Sequence, residues 1–222
     1  MTRILDIIFS FAAILLLMPL FIPVIITLRL TGEGKVFYLQ ERVGEGKKLF
    51  KLYKFATMLE NSMNMGTGDV TVKNDPRILP FGTFLRTSKI NELPQLFNIF
   101  FGQMSVVGFR PQTPNSFNLY SEEGGSIIAV NKPGLTGIGS IFFSNEEELL
   151  DGKSGRGMDF YHNVVIPFKE ELEVWWTTKN NVINYLYAIF LTVLALLFSK
   201  KLLKFFLWKD FPTIPEELDN EK

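Results

Sequence analysis

From Ile4 to Leu28 the chain carries a single charged side chain, Asp6, and the run is long enough to cross a hydrocarbon layer of about 30 Å. A stretch of that composition belongs in lipid, so whatever folds behind it works at a membrane. A cleaved leader fits poorly: Arg3 is a thin basic start, the apolar run is too long, and no small-x-small site precedes Arg29. Pro19 and Pro23 each remove a backbone donor and crowd the carbonyl four residues earlier, which predicts a bend near Met18-Pro19. Basic residues flank both ends, Arg3 before and Arg29, Lys35, Arg42, Lys47, Lys48, Lys51 and Lys54 after. That distribution favours a re-entrant helix over residues 1–29 that enters and leaves on the cytoplasmic face, with a bent spanning helix as the rival.

A second uncharged stretch, Val182 to Ser199, leads into the basic and aromatic segment Lys200 to Lys209. Residues 181–209 therefore read as C-terminal membrane-associated helices, or as a buried core helix followed by a solvated lysine face. Residues 210–222, with Glu216, Glu217, Asp219 and Glu221, read as an acidic tail. Between the ends, residues 30–180 have the composition of one globular domain, with turn signals at Thr31-Gly32, Gly44-Glu45-Gly46, Asn74-Asp75-Pro76, Gly124-Gly125 and Lys132-Pro133-Gly134. Val36–Leu39 and Leu49–Phe55 predict a hairpin around Gly44 and Gly46, and Ser105–Val107 a short buried strand. Helices are expected within Met58–Met65, Phe84–Thr87, Glu92–Phe101 and Pro114–Tyr120. Strands are too few for a doubly wound sheet. The expected class is α+β, a small and mostly helical domain with a short hairpin and interfacial amphipathic helices.

Composition removes several chemistries. The chain has no cysteine and one histidine, His162, which excludes a disulfide framework, thiolate zinc and a cysteine nucleophile, and leaves little for histidine catalysis. With 23 basic and 23 acidic side chains there is no basic surplus, so nucleic acid is not an expected partner. Gly152-Lys153-Ser154 ends like a phosphate-binding loop, but Glu147 stands where that loop requires glycine.

What remains is the segment Asn74 to Pro111, in which Arg77, Arg86, Lys89 and Arg110 surround one uncompensated acid, Glu92. Guanidinium groups pair bidentately with phosphate oxygens, and a carboxylate among them suits Mg²⁺ or phosphoryl chemistry. Asn91 is placed as an N-cap, Pro94 in the first turn and Gly102 at the end of a helix whose start would face these cations. A capped surface helix with Glu92 in its first turn is the plainer account. Lys54 reads equally as a phosphate contact or a solvated strand residue. Gln40 and Arg42 could hold substrate or pair with Glu41 or Glu45, and Arg110-Pro111 reads as a phosphate contact beside a turn. His162 reads as a structural residue, Glu146-Glu147-Glu148 as a solvated face, and Trp175, Trp176 and Trp208 as interface anchors or core.

Seven motifs in order carry a resemblance: Gln40-Glu41-Arg42-Val43-Gly44, Lys54-Phe55-Ala56-Thr57-Met58, Asp75-Pro76-Arg77, Leu85-Arg86, Glu92-Leu93-Pro94-Gln95-Leu96, Gly108-Phe109-Arg110-Pro111 and Lys132-Pro133-Gly134-Leu135-Thr136-Gly137. With the proline-broken apolar segment before them, the chain resembles the bacterial sugar transferase family, the membrane-embedded polyprenyl-phosphate sugar-1-phosphate transferases. The resemblance implies one re-entrant helix, interfacial helices in the lipid of the bacterial inner membrane at its cytoplasmic face, Mg²⁺ held by Glu92, a nucleotide diphosphate sugar as donor and polyprenyl phosphate as acceptor. It leaves a homo-oligomer open. It implies substrate contacts at Gln40, Arg42, Lys54, Arg77, Arg86, Arg110 and Pro111, and a catalytic pair at Asn91 and Glu92. The family pair is Asp-Glu, whose Asp attacks the phosphorus bearing the sugar, and a carboxamide is a poor nucleophile there. Three readings follow: Glu92 takes the attack, the lipid phosphate attacks directly, or the chain is a catalytically silent scaffold for lipid or a glycan-assembly partner. Ala56, Gln103 and Phe109 also depart from the family's usual Arg, acid and Pro.

Overall fold

A computed structural model describes residues 2–65, 75–143, 157–197 and 208–219. The expected segments at Asn74, Glu146–Glu148, Gly152–Ser154 and 200–207 lie outside the described residues. The apolar run forms one helix, α1 (Thr2–Leu30), about 43 Å long at 1.5 Å per residue, and helical through both Pro19 and Pro23. The helical assignment continues across Met18-Pro19, where the bend is expected, and α1 packs on the domain on both sides of the prolines. By length and composition α1 could cross a bilayer.

Its start is tied down by polar contacts. Arg3 donates to the carbonyls of Ile99 and Phe100 at 2.5 and 2.7 Å. Asp6, 2% exposed, accepts through Oδ1 from the Ser105 hydroxyl, the Val106 N–H and the Tyr185 hydroxyl at 2.8, 2.8 and 2.7 Å. The lone charge of the apolar run is therefore buried and saturated. Further along, Ala13, Ile14 and Leu17 pack on Leu52, Leu96, Ile99 and Met104, and Phe21, Val24 and Leu28 on Phe55 and Leu85. The opposite face leaves Ile4, Ile8, Phe11, Leu15, Leu16, Ile22 and Ile26 exposed.

The hairpin is β1 (Phe37–Val43) antiparallel to β2 (Leu49–Phe55), turning through Gly46 and Lys47, both at positive φ. Strand β1 runs four residues beyond Leu39. After β2 the chain forms no helix over Met58–Met65, only a tight 3-10 turn at Ser62–Asn64. Two competitors take the groups a helix would need. The Leu59 N–H goes to the Arg77 carbonyl, and the Arg77 guanidinium takes the Ser62 and Met65 carbonyls. Helix α2 (Pro80–Thr87) then packs so closely on Thr57 that a Cβ at Gly82 would stand 2.2 Å from its carbonyl oxygen.

Helix α3 spans Gln95–Phe101, three residues later than expected. Lys89 lies at φ 59°, Ile90–Glu92 is a 3-10 turn, and Pro94 offers no N–H to a longer ladder. Gly102, at φ 90°, ends the helix as expected. Asn98, fully buried, accepts from the Tyr53 N–H and donates to the Lys51 carbonyl and to Gln103 Oε1, fixing α3 to the edge of β2. Gln103 thus serves as an acceptor without the charge of the usual acid.

The second sheet is a parallel pair, β3 (Ser105–Val107) with β4 (Gly134–Thr136). Between them lie α4 (Pro114–Phe117), capped by Thr113, and α5 (Glu122–Ile128), capped by Ser121. After β4 come α6 (Ile138–Phe142), α7 (Gly157–Phe160), a π-helical turn at Tyr161–Val165, α8 (Ile166–Thr177), α9 (Val182–Leu197) and α10 (Glu216–Asp219). The fold is thus mixed, helices with two small sheets. Helix α9 buries Tyr185, Ala188 and Leu191, while Ile183, Leu186, Phe190, Val193 and Leu197 face outward. Trp175 and Trp176 meet Trp208 edge-on at 5.5 and 5.4 Å, so the three tryptophans form one cluster.

Candidate functional site

The hairpin register pairs Tyr38 with Lys54, Gln40 with Leu52 and Arg42 with Phe50. Alternation along each strand then puts Gln40, Arg42 and Lys54 on one face. Arg42 turns to the substrate-side residues. It donates to Gln40 Oε1 at 2.5 Å and to the Pro111 carbonyl at 3.1 Å, while the Val43 N–H reaches the Gln112 carbonyl at 2.9 Å. These bonds moor the segment after β3 against the hairpin and bring Arg110 to the same pit.

That segment is itself held by close backbone approach. A Cβ at Gly108 would lie 2.3 Å from the Lys132 carbonyl oxygen, and one at Gly137 would lie 1.9 Å from the Gly108 carbonyl oxygen. The glycines of Gly108-Phe109-Arg110-Pro111 and Lys132–Gly137 therefore let two chain segments touch, which fixes where Arg110 leaves the fold. Phe109, 4% exposed, packs with Phe117, so the aromatic in place of the usual proline anchors this segment from below.

Glu92 completes the group. Its Oε1 lies 3.5 Å from the Arg110 guanidinium. Burial alone would raise its pKa, but Arg110, Lys54, Lys89 and Arg42 prevail and hold it at about 2. Lys54 sits in the reverse position: burial first, then Arg42, Arg110 and Arg86, lower its pKa to about 7 against the pull of Glu92. The pit among Arg42, Lys54, Glu92, Gln95, Arg110 and Pro111 has about 20 Å³ inside, too little to enclose a phosphate group. Arg42, Arg110 and a partly protonated Lys54 line the pit with one carboxylate, and Lys89 acts on it from nearby, so the local charge balance is positive.

The predicted residues separate into those that converge and those that do not. Gln40, Arg42, Lys54, Glu92, Arg110 and Pro111 converge, and Arg86 bears on Lys54 electrostatically. Arg77 does not line the pit: 3% exposed, it forms a buried pair with Asp75 at 2.6 Å and donates to two carbonyls, which makes it a brace for the loop before α2. Asn91 is no N-cap. It lies in the 3-10 turn, 7% exposed, and its Oδ1 has no hydrogen-bond partner among the described residues. With α3 short and starting at Gln95, the cradle consists of side-chain cations and not of a helix dipole. Sequence reading missed Gln95, which lines the pit; the signal was a buried amide at the start of an apolar helix.

The lowered Lys54 has a measurable consequence. The unfolded chain binds a proton here up to about pH 10.5 and the folded protein only below about 7, so this group makes stability rise with pH between those values. Lys54→Met is expected to raise the melting temperature at pH 7 and to flatten its rise towards pH 10, read by thermal melts in detergent.

A cavity of about 940 Å³ beside α5 and α8 lies elsewhere and is lined by Glu123, Glu170, Glu171 and Asp210 together with exposed His162. Its acidic walls repel anions, so size does not make it the phosphate site.

A family model described as bacterial sugar transferase matches residues 1–199. The chain is 31% identical over 183 residues to the exopolysaccharide production protein ExoY of Rhizobium meliloti (strain 1021), covering 74% of this chain and 80% of that protein. It is 42% identical over 108 residues to the exopolysaccharide production protein PSS of Rhizobium leguminosarum bv. phaseoli, covering 49% and 54%. It is 36% identical over 143 residues to the UDP-glucose:undecaprenyl-phosphate glucose-1-phosphate transferase of Klebsiella pneumoniae, covering 63% of this chain and 30% of that protein. The chain thus spans between 30% and 80% of the length of these relatives.

Proposed function

The chain belongs to the bacterial sugar transferase family, and on that premise we propose that it moves a sugar-1-phosphate from a nucleotide diphosphate sugar to a polyprenyl phosphate, opening the assembly of a surface glycan. The observation that carries the reading is the pit in which Arg42, Lys54 and Arg110 surround Glu92. Cations at its mouth bind the diphosphate and offset charge building on the leaving nucleoside monophosphate.

One substrate is soluble and the other keeps its phosphate at headgroup depth, so the reaction needs a site at the boundary. Helix α1 serves this by lying against the domain with its outer face apolar. Arg3 and Asp6 bond to the same domain that holds the pit, which favours a helix whose two ends share one side of the membrane, the cytoplasmic face of the inner membrane. Both ends pack on the domain, Asp6 through Ser105 and Val106 and Leu28 through Phe55 and Leu85, so a crossing helix would draw that domain into the bilayer. The outward apolar side of α9 supports a second, interfacial contact.

Mg²⁺ fits as a guest of the donor. Among the described residues no three metal-ligating side chains converge, but magnesium is commonly held by one or two carboxylates together with substrate phosphates. Glu92, fully ionised at neutral pH, would hold it beside the diphosphate, where the ion supplies charge neutralisation.

The transfer proceeds by direct displacement. Asn91 is neutral and buried, so it forms no phosphosugar ester. An oxygen of the polyprenyl phosphate attacks the phosphorus that bears the sugar, and the bond from that phosphorus to the nucleoside monophosphate oxygen breaks. The test is purified protein in detergent with Mg²⁺, polyprenyl phosphate and a panel of nucleotide sugars carrying label in the sugar phosphate. Release of nucleoside monophosphate is expected only when lipid acceptor is present, with no label on the protein. Label trapped on the chain without acceptor would replace displacement by a covalent route, and silence from a folded, lipid-binding sample would favour the scaffold. In the same assay Asn91→Asp is expected to add acceptor-independent release, since it places a carboxylate where the family has one.

A further inference from the structure

Helix α3 carries two buried amides with opposite fates. Asn98 spends its side chain inside the fold: it accepts from the Tyr53 N–H and donates to the Lys51 carbonyl and to Gln103 Oε1. Gln95, one turn earlier and 4% exposed, has a carboxamide that bonds to none of the described residues, although it lines the pit with Arg42, Lys54, Glu92 and Arg110. An amide left unclosed inside a fold is costly, and buried polar groups are rarely left so. Packing fixes its place: Leu96 beside it joins Leu52 and Ile99 in the core, and the Phe97 ring lies 6.3 Å from that of Phe21.

The size of the pit limits what can meet this amide. About 20 Å³ takes one water-sized group and no phosphate, so the phosphorus of a ligand stays at the mouth while a single oxygen reaches in. Around that oxygen the charged donors are partly spent. Arg42 Nη1 and Nη2 already donate to the Pro111 carbonyl and to Gln40 Oε1, and Arg110 faces Glu92. Those groups supply positive charge, and Gln95 supplies a donor with no prior partner. A hydroxyl would gain little from such surroundings, whereas a phosphoryl oxygen accepts from the amide and is favoured by each cation.

We propose that Gln95 is a substrate-contacting residue whose side-chain N–H donates to the phosphoryl oxygen of the donor diphosphate that enters the pit. This role rests on the reading of the pit as the donor phosphate site.

The test compares Gln95→Met, which keeps the unbranched shape and removes the amide, with Gln95→Glu, which puts a carboxylate oxygen where the donor was. The full chain in detergent with Mg²⁺ is titrated with uridine diphosphate, and is melted without it. Gln95→Met is expected to bind the diphosphate about tenfold more weakly, the size of one hydrogen bond to a charged group, yet to melt at or above the native temperature, since it deletes a buried group that nothing closes. Gln95→Glu should bind more weakly still, because its charge repels the ligand. In the transfer assay the donor KM of Gln95→Met should rise about tenfold with kcat within about threefold of native. Native diphosphate affinity in Gln95→Met would overturn the assignment, and so would a melting temperature well below native, which would mean that the amide is closed inside the fold. Weaker binding of the nucleotide sugar with unchanged affinity for uridine diphosphate would move the contact to the sugar and overturn it as well. Diphosphate binding that follows Gln95 in a protein that transfers nothing would sink the transferase reading and leave the contact standing.

Discussion

Glu92→Gln is expected to lower sugar-phosphate transfer by about 10²–10³-fold, the range associated with losing one group that stabilises charge in the transition state, while diphosphate affinity without Mg²⁺ stays the same or improves. The second half of the expectation separates chemistry from binding. Glu92 is the one carboxylate among the residues that line the pit, so removing its charge relieves repulsion against an incoming polyanion and strips the site of its metal ligand. Lys54 would lose the neighbour that supports its protonated form, and its pKa would fall below the present value of about 7. The acid limb of stability should change as well. In the native protein Glu92 is held at about 2 against an ordinary 4.5, so its contribution is complete above about pH 5 and is lost as pH falls through that interval. With its side chain 21% exposed, the share at neutral pH is about 1–2 kcal/mol after allowance for solvent screening. Steady-state kinetics with titration calorimetry of a nucleoside diphosphate would check both halves, and an unchanged kcat would remove Glu92 from the mechanism.

Asp6→Ala should be the most damaging single change outside the pit, costing about 3–5 kcal/mol. Three donors, the Ser105 hydroxyl, the Val106 N–H and the Tyr185 hydroxyl, converge on one oxygen, and alanine would leave all of them buried and unmatched. Asp6→Asn keeps an acceptor oxygen and should cost about 1–2 kcal/mol. Melting temperature in one detergent orders the three proteins. A cost below about 1 kcal/mol for alanine would mean that α1 is held by its apolar face alone.

Much of this was legible from residue type and order. The hairpin followed from two β-rich runs around Gly44 and Gly46, and the strand at Ser105–Val107 from its apolar bracket by turns. Convergence of Arg42, Lys54, Glu92 and Arg110 rested on a resemblance, since spacing alone places none of them in space. Arg77 shows the limit. An arginine in a basic cluster reads as a phosphate ligand, but Asp75 two residues earlier already offered a bidentate partner, and the buried pair won. Asn91 shows another: an Asn before an apolar run predicts a cap, and the left-handed Lys89 with Pro94 moved the helix start past it. The burial of Lys169 and Glu173 on α8 was invisible because a glutamate one turn after a lysine on a helix normally means a solvated pair. Only tertiary packing turned both side chains inward.

The bond from Asp6 to Tyr185 joins positions 179 apart, so the chain through Tyr185 must leave the ribosome before the anchor helix can receive this partner. Closing so wide a loop is entropically little worse than closing one half its length, but it comes late in time. Until then a carboxylate sits without its tyrosine in a segment bound for lipid, which makes the order of synthesis, insertion and clasping a single coupled event.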